Sequence, residues 1–510
     1  MTFSAPPSTV RLHAATFAGS ERRRGELHGE RFGAAIGESG VLRFFHGYAE
    51  QEVLGGPAPI ASSLLRGLHS LFASRLSPAA GELCAGFSRA AGMPEAELRR
   101  ALVMPDVINT LIGVNARLSG LPALGCTSVA AWGSYTPDGR LLYGRNLDFL
   151  GHGFWEANQL VARHKPEKGL PFVSLSTAGC VLDGITGINA AGLTVDLHQH
   201  VNRATDIWRG RPVLDLGLQV LQHCHTISQA AEAAASWPTS SGWSLVFTHW
   251  KEKRAAVVER GAGRWAVMKA SGESLAWTNT YQDPALRAGE LANPPFRACS
   301  DARLARAGEL LEEKRGILDP AGVAAILGDH WDAGTGRVRA FAQCISQPHN
   351  LTSVVIDPEN GVLYAAEGPA PVCETPYRKI SLWDDSEPGE ALPRDPSPLS
   401  AGQKAGYAAY VSALAAWHVR RDPRAALAAL REAARHDPEE PVHRFMQGVF
   451  ELKAGESAAA AEAFAAGAAM PDLPHRRQAQ RLWRERALGP RGGRVPAVRP
   501  DFYHADAPLP

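Results

Sequence analysis

Three residues close together in the sequence have the side chains that thiol chemistry requires. Cys126 supplies a thiol, and Arg145 and Asp148 follow it within one short stretch. A nearby guanidinium favours the thiolate, and a carboxylate can hold a neighbouring hydrogen-bond donor in place. Most cysteines are buried structural residues. A cysteine accompanied by this charged pair is instead a candidate nucleophile.

The stretch that follows Cys126 predicts a β-hairpin, the element that would bring these groups together. Residues 128–132 form a short apolar run, and residues 140–147 read as a returning strand. Between them, Pro137-Asp138-Gly139 predicts a turn, because proline presets φ, aspartate bonds the backbone and glycine accepts a positive φ. Residues three apart on a strand point to opposite faces, so we expect a bend at Asn146 to bring both charged side chains to the thiol.

This hairpin resembles that of the N-terminal-nucleophile hydrolases, the group of choloylglycine hydrolase, acid ceramidase and isopenicillin N acyltransferase. The pattern is that of its autoproteolytic acyltransferase branch, peptidase family C45. The resemblance rests on Cys126-Thr127-Ser128 followed by Gly144-Arg145-Asn146-Leu147-Asp148, and it covers roughly residues 19–373. It implies an inactive precursor in which Cys126 attacks the carbonyl of Gly125, rearranges through a thioester and becomes a new N-terminus.

The resemblance also implies the roles of the two charged residues. Asp148 would hold the α-amine of Cys126, and Arg145 would support the thiolate and the substrate. The α-amine, whose unperturbed pKa is about 8, would act as the general base, so that no histidine is required. The alternative interpretation of Arg145 and Asp148 is a surface ion pair, which fits an apolar hairpin less well.

Three more residues complete the site that the resemblance implies. Asn189 lies in a Gly-x-Asn-x-x-Gly-Leu turn similar to the family's oxyanion-hole turn, and Asn279 in Trp-Thr-Asn-Thr matches a second amide. An amide donor aimed at an oxyanion contributes about 3 kcal/mol. Arg303 matches a Ser-x-x-Arg pattern whose arginine buttresses the site, with Arg306 and Arg297 as alternatives. From the residues alone, Asn189 is equally an ordinary turn residue, because asparagine tolerates the left-handed region.

No metal or cofactor is expected. His198 and His200 share a predicted strand face, and His223 and His225 flank Cys224, but neither pair is accompanied by a carboxylate pattern typical of a metal site. The sequence has no His-Glu-x-x-His, P-loop, Gly-x-Ser-x-Gly or Gly-x-Gly-x-x-Gly motif.

Composition excludes several classes of protein. The 510 residues are 45% hydrophobic and carry a formal net charge of +1, which gives no indication of a nucleic-acid partner. The seven cysteines are scattered without a Cys-x-x-Cys pair, which argues against a disulfide scaffold and is typical of a reducing compartment. No apolar leader or membrane-span-length apolar run is evident, and we therefore predict a cytoplasmic protein.

The order of predicted elements indicates an α+β fold. Residues 1–125 are expected to form a helical segment, which would become the smaller chain after cleavage. Short strands bounded by turn residues, with helices between them, fill residues 126–385. The resemblance makes this catalytic core an αββα sandwich, in which two central sheets lie between two helical layers.

The C-terminal part is predicted to be a separate helical unit. Residues 386–400 form a Pro-rich linker, residues 401–488 are Ala-rich and helical, and residues 489–510 are a flexible tail. A weak 34-residue period resembles tetratricopeptide repeats, and a plain Ala-rich extension is the alternative. Such helices are a possible surface for a protein partner, while the oligomeric state is left open.

We therefore expect a self-processing cysteine amidohydrolase or acyltransferase that acts on a small-molecule amide or acyl substrate through a thioester on Cys126. One alternative is a papain-like enzyme that pairs Cys126 with His198, His200 or His349, without cleavage at Gly125. The other is an inactive N-terminal-nucleophile scaffold that binds partners through its C-terminal helices.

Overall fold

Two β-sheets lie at the centre of the part of the chain that the computed structural model describes. That part comprises residues 10–39, 59–114, 125–149, 155–181, 183–292, 294–341, 343–418 and 420–489. Statements about structure below refer to these residues.

The larger sheet, sheet A, has eight strands. In their order across the sheet they are β1 (Arg11–Gly19), β4 (Asn158–Pro166), β5 (Phe172–Thr177), β6 (Thr186–Asn189), β7 (Leu193–Gln199), β8 (Trp243–His249), β9 (Arg254–Gly261) and β10 (Arg264–Lys269). All neighbours are antiparallel except β1 and β4, which run parallel. The N-terminal segment is thus not only helical, because its strand β1 belongs to the sheet of the catalytic core.

The smaller sheet, sheet B, has six antiparallel strands and carries the predicted hairpin. In order they are β11 (Ser274–Trp277), β2 (Gly125–Gly133), β3 (Gly139–Asp148), β14 (Asn350–Asp357), β15 (Val362–Ala366) and β16 (Tyr377–Ser381). A separate two-stranded hairpin is formed by β12 (Trp331–Asp332) and β13 (Arg337–Val338). The turn at residues 137–139 joins β2 to β3 as predicted.

Helices cover the outer faces of both sheets. They are α1 (Glu21–Ser39), α2 (Pro59–Ala73), α3 (Pro78–Ala91), α4 (Glu95–Val114), α5 (Val213–His223), α6 (Ile227–Ser236), α7 (Pro284–Arg287), α8 (Pro294–Glu313) and α9 (Pro320–Leu327). Apolar residues of the two sheets meet in a central cluster, helices α3 to α6 pack on sheet A, and α8 and α9 pack on sheet B. This is the predicted αββα arrangement.

Helices α1 and α3 cross so closely that glycine is required at the contact. A Cβ on Gly25 would lie 2.1 Å from the carbonyl oxygen of Leu83, and a Cβ on Gly86 would lie 2.0 Å from that of Arg22. Any side chain at either glycine would therefore push the helices apart. The Gly-rich opening of the N-terminal segment is explained by this crossing.

Five helices follow residue 400, and they pack on the core. They are α10 (Ala401–His418), α11 (Pro423–His436), α12 (Pro441–Lys453), α13 (Ser457–Ala469) and α14 (Pro474–Leu488). Successive helices pack against each other, and their apolar residues share one cluster with the core. The Pro-rich linker is also bound to the core, since the backbone of Leu392 donates to the carbonyl of Tyr377. This differs from the separate unit that the linker suggested, while repeat ancestry stays a prediction.

Candidate active site

The β2–β3 hairpin places Cys126 between the sheets. Gly125 pairs with Asp148 and Ser128 pairs with Arg145, and the register continues unbroken as far as Ala131. The bend expected at Asn146 is therefore wrong. Because β3 is regular there, its two charged residues lie on opposite faces of sheet B, Arg145 on the face towards sheet A and Asp148 on the other.

The thiol of Cys126 has two polar neighbours, and one of them is charged. Arg145 Nη2 lies 3.3 Å from Cys126 Sγ, and the carbonyl oxygen of Leu197 lies 3.8 Å from it. Burial raises the pKa of the Cys126 thiol to about 11, a rise that the Arg145 charge opposes and the Asp196 charge increases. The uncut chain thus holds Cys126 as a neutral thiol, although the sequence pointed to a lowered pKa.

Arg145, on sheet B, is fixed by bonds across to sheet A. It donates to the carbonyl oxygens of Ile185 at 2.8 Å and Leu197 at 2.6 Å, and it bonds Thr186 Oγ1. It also forms an ion pair with Asp196 in which both side chains are buried. This guanidinium is therefore held in one position beside the thiol, and its charge is balanced by a single carboxylate.

Asp196 belongs to a buried polar cluster that sequence reasoning missed. Its Oδ2 accepts hydrogen bonds from Ser128 Oγ and Tyr143 OH, and His198 Nε2 lies 3.1 Å away. Burial works against ionisation of Asp196, but Arg145 and His198 hold the pKa of its carboxyl below the usual range. Burial and the Asp196 charge raise the pKa of Tyr143 well above its ordinary value. The carboxylate is therefore the ionised member of this cluster.

The backbone of Cys126 is held by two further predicted residues. Its N–H donates to Asn279 Oδ1 at 2.7 Å, and its carbonyl oxygen accepts from Arg303 Nη1 at 2.6 Å. Arg303 also donates to Thr127 Oγ1 at 2.7 Å and to Asn279 Oδ1 at 3.2 Å. Both side chains come from outside the hairpin, since Asn279 follows β11 and Arg303 lies on α8.

The helix α8 decides which arginine reaches the site. Arg303 is buried against Cys126, whereas Arg306 bonds Asp329 at 3.1 Å and Arg297 forms an ion pair with Glu290 at 3.3 Å. Only the first of the three predicted alternatives contacts the nucleophile.

Asp148 lies beside the bond that would be cut. It pairs with Gly125, and a Cβ built on Gly125 would lie 3.2 Å from Asp148 Oδ2. Asn350, at the start of β14, donates to Asp148 Oδ1 at 2.9 Å. The carboxylate is thus oriented by an asparagine that the sequence did not single out.

Asn189 is not part of this site, which corrects the prediction. Its Nδ2 donates to the carbonyl oxygens of Leu221 at 3.1 Å and Cys224 at 2.8 Å. Its Oδ1 accepts from the N–H groups of Ala191 and Leu193, both at 3.1 Å. The amide is used up in fixing the β6–β7 turn, so the ordinary turn interpretation holds and no donor is left for an oxyanion.

The thiol–imidazole pair that a papain-like enzyme needs is not formed. Within the described ranges, none of the ring nitrogens of His198, His200 and His349 hydrogen-bonds to Cys126 Sγ. His198 Nε2 lies 2.8 Å from Ser128 Oγ, and His200 Nε2 lies 2.8 Å from Ser244 Oγ.

Two other features were searched for in the described part of the chain. It contains no group of three or more His, Cys, Asp or Glu side chains arranged to hold a metal ion. None of its helices is long and apolar enough to cross a membrane.

Parts of the chain are similar to known proteins. Residues 134–370 match the family model described as acyl-coenzyme A:6-aminopenicillanic acid acyl-transferase. This range starts after Cys126 and contains Arg145, Asp148, Asn189, Asn279 and Arg303.

One protein and one solved structure are also similar to parts of the chain. An uncharacterized protein of Archaeoglobus fulgidus (strain ATCC 49558 / DSM 4304 / JCM 9628 / NBRC 100126 / VC-16) is 27% identical over 165 residues, which cover 32% of this chain and 27% of that protein. The chain thus spans about a quarter of that relative's length. The solved structure of a Caenorhabditis elegans N-acylethanolamine-hydrolyzing acid amidase (NAAA) ortholog superposes with a TM-score of 0.34 at 20% identity, covering 46% of this chain and 93% of that one.

Proposed function

We propose that this chain is an N-terminal-nucleophile acyltransferase or hydrolase that cuts itself between Gly125 and Cys126 and then uses Cys126 on a linear amide. The observation that carries the proposal is the way Cys126 is held. Its sulfur contacts Arg145, its N–H contacts Asn279 and its carbonyl contacts Arg303, all in a buried setting. A structural cysteine needs none of these three contacts.

Self-cleavage would proceed by an N-to-S acyl shift. The sulfur of Cys126 attacks the carbonyl carbon of Gly125, the C–N bond breaks, and the thiol proton goes to the departing nitrogen. Water then hydrolyses the resulting thioester, which leaves a carboxylate on Gly125 and a free thiol and α-amine on Cys126. Asp148, which lies against Gly125, is placed to hold the amine as it forms.

Turnover would reuse the same groups. The α-amine of Cys126 accepts the thiol proton as the sulfur attacks a substrate amide carbonyl, and it returns that proton to the leaving amine. Water resolves the new thioester in hydrolysis, and a second amine resolves it in acyl transfer. Asn279 Oδ1, which accepts the backbone N–H of Cys126 in the uncut chain, would accept the α-amine afterwards.

Arg145 and Arg303 have separate roles in this scheme. Arg145 offsets charge that develops on the sulfur, since it is the only cationic group within hydrogen-bond distance of Sγ among the described residues. Arg303 fixes the carbonyl of Cys126 and the side chain of Asn279 together.

Intact-mass measurement of freshly purified protein tests the proposal. Wild-type protein should yield two chains, the larger beginning at Cys126, and Cys126→Ala should remain one chain. Cys224→Ala is the matched control, because Cys224 is a buried free cysteine on sheet A's helical side and should leave cleavage unchanged. A stable, active, uncut wild-type chain would refute self-processing.

A further inference from the structure

A continuous series of contacts joins the C-terminal helices to Asp148. We infer that helices α10 to α14 act as a positioning element for the cleavage site, through a segment whose described residues are 339–341 and 343–350 and which ends on Asn350. The inference rests on the proposed role of Cys126. It gives the C-terminal helices a catalytic task in addition to any binding of partners.

The first anchor of the segment is Arg339, whose side chain is buried among three carboxylates. It contacts Asp332 Oδ2 at 2.7 Å in its own hairpin, Glu440 Oε2 at 3.0 Å and Asp472 Oδ1 at 3.3 Å. Glu440 caps helix α12, and Asp472 comes just before α14. One guanidinium thus ties the core hairpin to two C-terminal helices.

The second anchor is Phe341. The centroid of its ring lies 4.5 Å from the ring centroid of Tyr410, and 5.2 Å from those of both Tyr407 and His443. Tyr407 and Tyr410 are on α10, and His443 is on α12. The aromatic contacts hold the segment against the helices two residues beyond the arginine.

The middle of the segment is held by its own short bonds. Gln347 Nε2 donates to the carbonyl of Cys344 at 2.5 Å, and the N–H of Asn350 donates to the carbonyl of Gln347 at 3.0 Å. The N–H of Ser346 donates to the carbonyl of Asp329 at 3.0 Å. With so many local bonds, a displacement at one end is carried to the other.

The segment ends at the candidate site. Asn350 Nδ2 donates to Asp148 Oδ1 at 2.9 Å, and Asn350 Oδ1 accepts from the N–H of Cys373 at 2.7 Å. One residue earlier, the carbonyl of His349 accepts from the N–H of Phe149 at 2.9 Å. The end of β3 therefore takes its position from this segment on both side-chain and backbone atoms.

Helix α10 approaches the same place directly. Tyr407 is buried, and its hydroxyl has no hydrogen-bond partner among the described residues. Burial raises the pKa of Tyr407 well above its ordinary value, and the charges of Glu374 and Asp148 contribute to the rise. A side chain of the C-terminal helices thus lies within electrostatic range of the site carboxylate.

The test compares two arginines of one hairpin in the full-length chain. Arg339→Met removes the anchor, and Arg337→Met is its control, since Arg337 donates to the carbonyl of Glu439 from a partly exposed position. Arg339→Met should slow the appearance of the Cys126 chain roughly 10- to 100-fold, because small misplacements of reacting groups have effects of this size. Arg337→Met should stay within about twofold of wild type, and Arg339→Lys, which keeps the charge, should recover part of the rate.

Amide hydrogen exchange measures the effect of Arg339→Met on β3 whether or not the chain cuts itself. Amides of residues 143–149 should exchange faster in Arg339→Met than in Arg337→Met, above all that of Phe149, while those of sheet A stay as in wild type. If wild-type protein does not cut itself, the proposed function fails but this comparison still decides the inference. Unchanged exchange and an unchanged cleavage rate in Arg339→Met would overturn it.

A second pair of variants covers the case in which Arg339→Met does not fold. Asn350→Ala removes the side-chain amide that bonds both Asp148 Oδ1 and the N–H of Cys373. Asn360→Ala is its control, because Asn360 bonds a carboxylate, Asp357, at 2.8 Å within a distant turn. Asn350→Ala should slow cleavage at least tenfold and Asn360→Ala should not. Equal rates in the two variants, with both folded, would contradict the inference at its final step.

Discussion

Two arginines hold Cys126, and their surroundings differ. Arg145 contacts the sulfur and is paired with the buried carboxylate of Asp196. Arg303 contacts the carbonyl oxygen, and its described partners are neutral oxygens, with no carboxylate within ion-pair distance. One region of the site therefore controls charge at the thiol, and the other controls the geometry of the backbone.

This difference suggests how one residue can serve two reactions. Burial and the Asp196 charge keep the resting thiol protonated despite the nearby Arg145 charge, which protects the uncut chain from unwanted alkylation or oxidation. Arg303 and Asn279 meanwhile hold both backbone groups of Cys126, so the residue stays in place when its bond to Gly125 is lost. Charge control and position can then be altered independently.

The largest effect is expected from Arg145→Met. It removes the cation beside the thiol and leaves the buried Asp196 without its guanidinium partner, which should lower the free energy of unfolding by about 3–5 kcal/mol and abolish cleavage. Urea unfolding and intact mass measure the two effects. As a control, Arg145→Met combined with Asp196→Asn should regain part of the stability but none of the cleavage. Lost cleavage at unchanged stability would mean that the ion pair does not form.

A smaller effect is expected from Arg303→Met. It leaves the carbonyl of Cys126 without its donor, so cleavage should slow roughly 10- to 100-fold. The free energy of unfolding should fall by about 1–3 kcal/mol. Arg306→Met is the matched control on the same helix, because Arg306 contacts only carboxylates near the surface, and it should cleave like wild type. Similar slowing in both variants would remove Arg303 from the site.

Asp196→Asn should change the thiol without removing Arg145. The Asp196 charge raises the pKa of the Cys126 thiol, so its removal should lower that pKa and allow alkylation by iodoacetamide at lower pH. Mass-detected alkylation of Cys126 against pH, in full-length chains sampled before they cut, measures the direction. The same measurement on Arg303→Met should give the wild-type profile, because that contact is with the backbone. A profile of Asp196→Asn shifted to higher pH would contradict the division between the two arginines.

The smallest effect on cleavage is expected from Asn189→Ala. Its amide bonds four backbone groups of a turn outside the site, so the free energy of unfolding should fall by about 1–3 kcal/mol while the cleavage rate stays near that of wild type. Thermal unfolding and intact mass together make the check. A large loss of cleavage in a stable variant would return Asn189 to the site.

Two kinds of site residue could be predicted from the sequence. Some lie close to Cys126 in the chain, and others belong to a motif of the family. Arg145 and Asp148 lie on the strand that pairs with the strand of Cys126, so a turn signal was enough to bring them near. Asn279 and Arg303 lie far away in sequence, and only the family resemblance pointed to them. Asn189 shows the limit of that approach, because the same turn pattern serves a backbone role here.

Asp196 was missed because its strand reads as half-exposed. In β7 the apolar residues Leu193, Val195 and Leu197 alternate with polar ones, a pattern typical of a strand with one face in water. Here the apolar face packs on helices, and the polar face, with Asp196 and His198, turns towards sheet B. The alternation of apolar and polar residues alone does not tell whether the polar face of a strand lies in water or against another sheet.

Strand β1 was missed for a related reason. Its place in sheet A is set by pairing with a distant segment, since Arg11 of β1 pairs with Asn158 of β4. Local propensity carries little information about such pairing. The helical order of the C-terminal part was predictable, but its contact with the core depends on Arg339 and Phe341, which no motif marks.

The long separation of the residues around Cys126 has a consequence for protein synthesis. Arg303 lies 177 positions from Cys126 in the chain, and Asn350 lies 202 positions from Asp148. A ribosome adding about 5–20 residues per second needs roughly 10–40 s to cover such distances. During that time the β2–β3 hairpin can form, but Arg303 and Asn350, which hold Cys126 and Asp148, have not yet been synthesised. Under the proposed self-cleavage, a nascent or prematurely terminated polypeptide would keep its Gly125–Cys126 bond, and a cut chain would be one whose translation has passed residue 350.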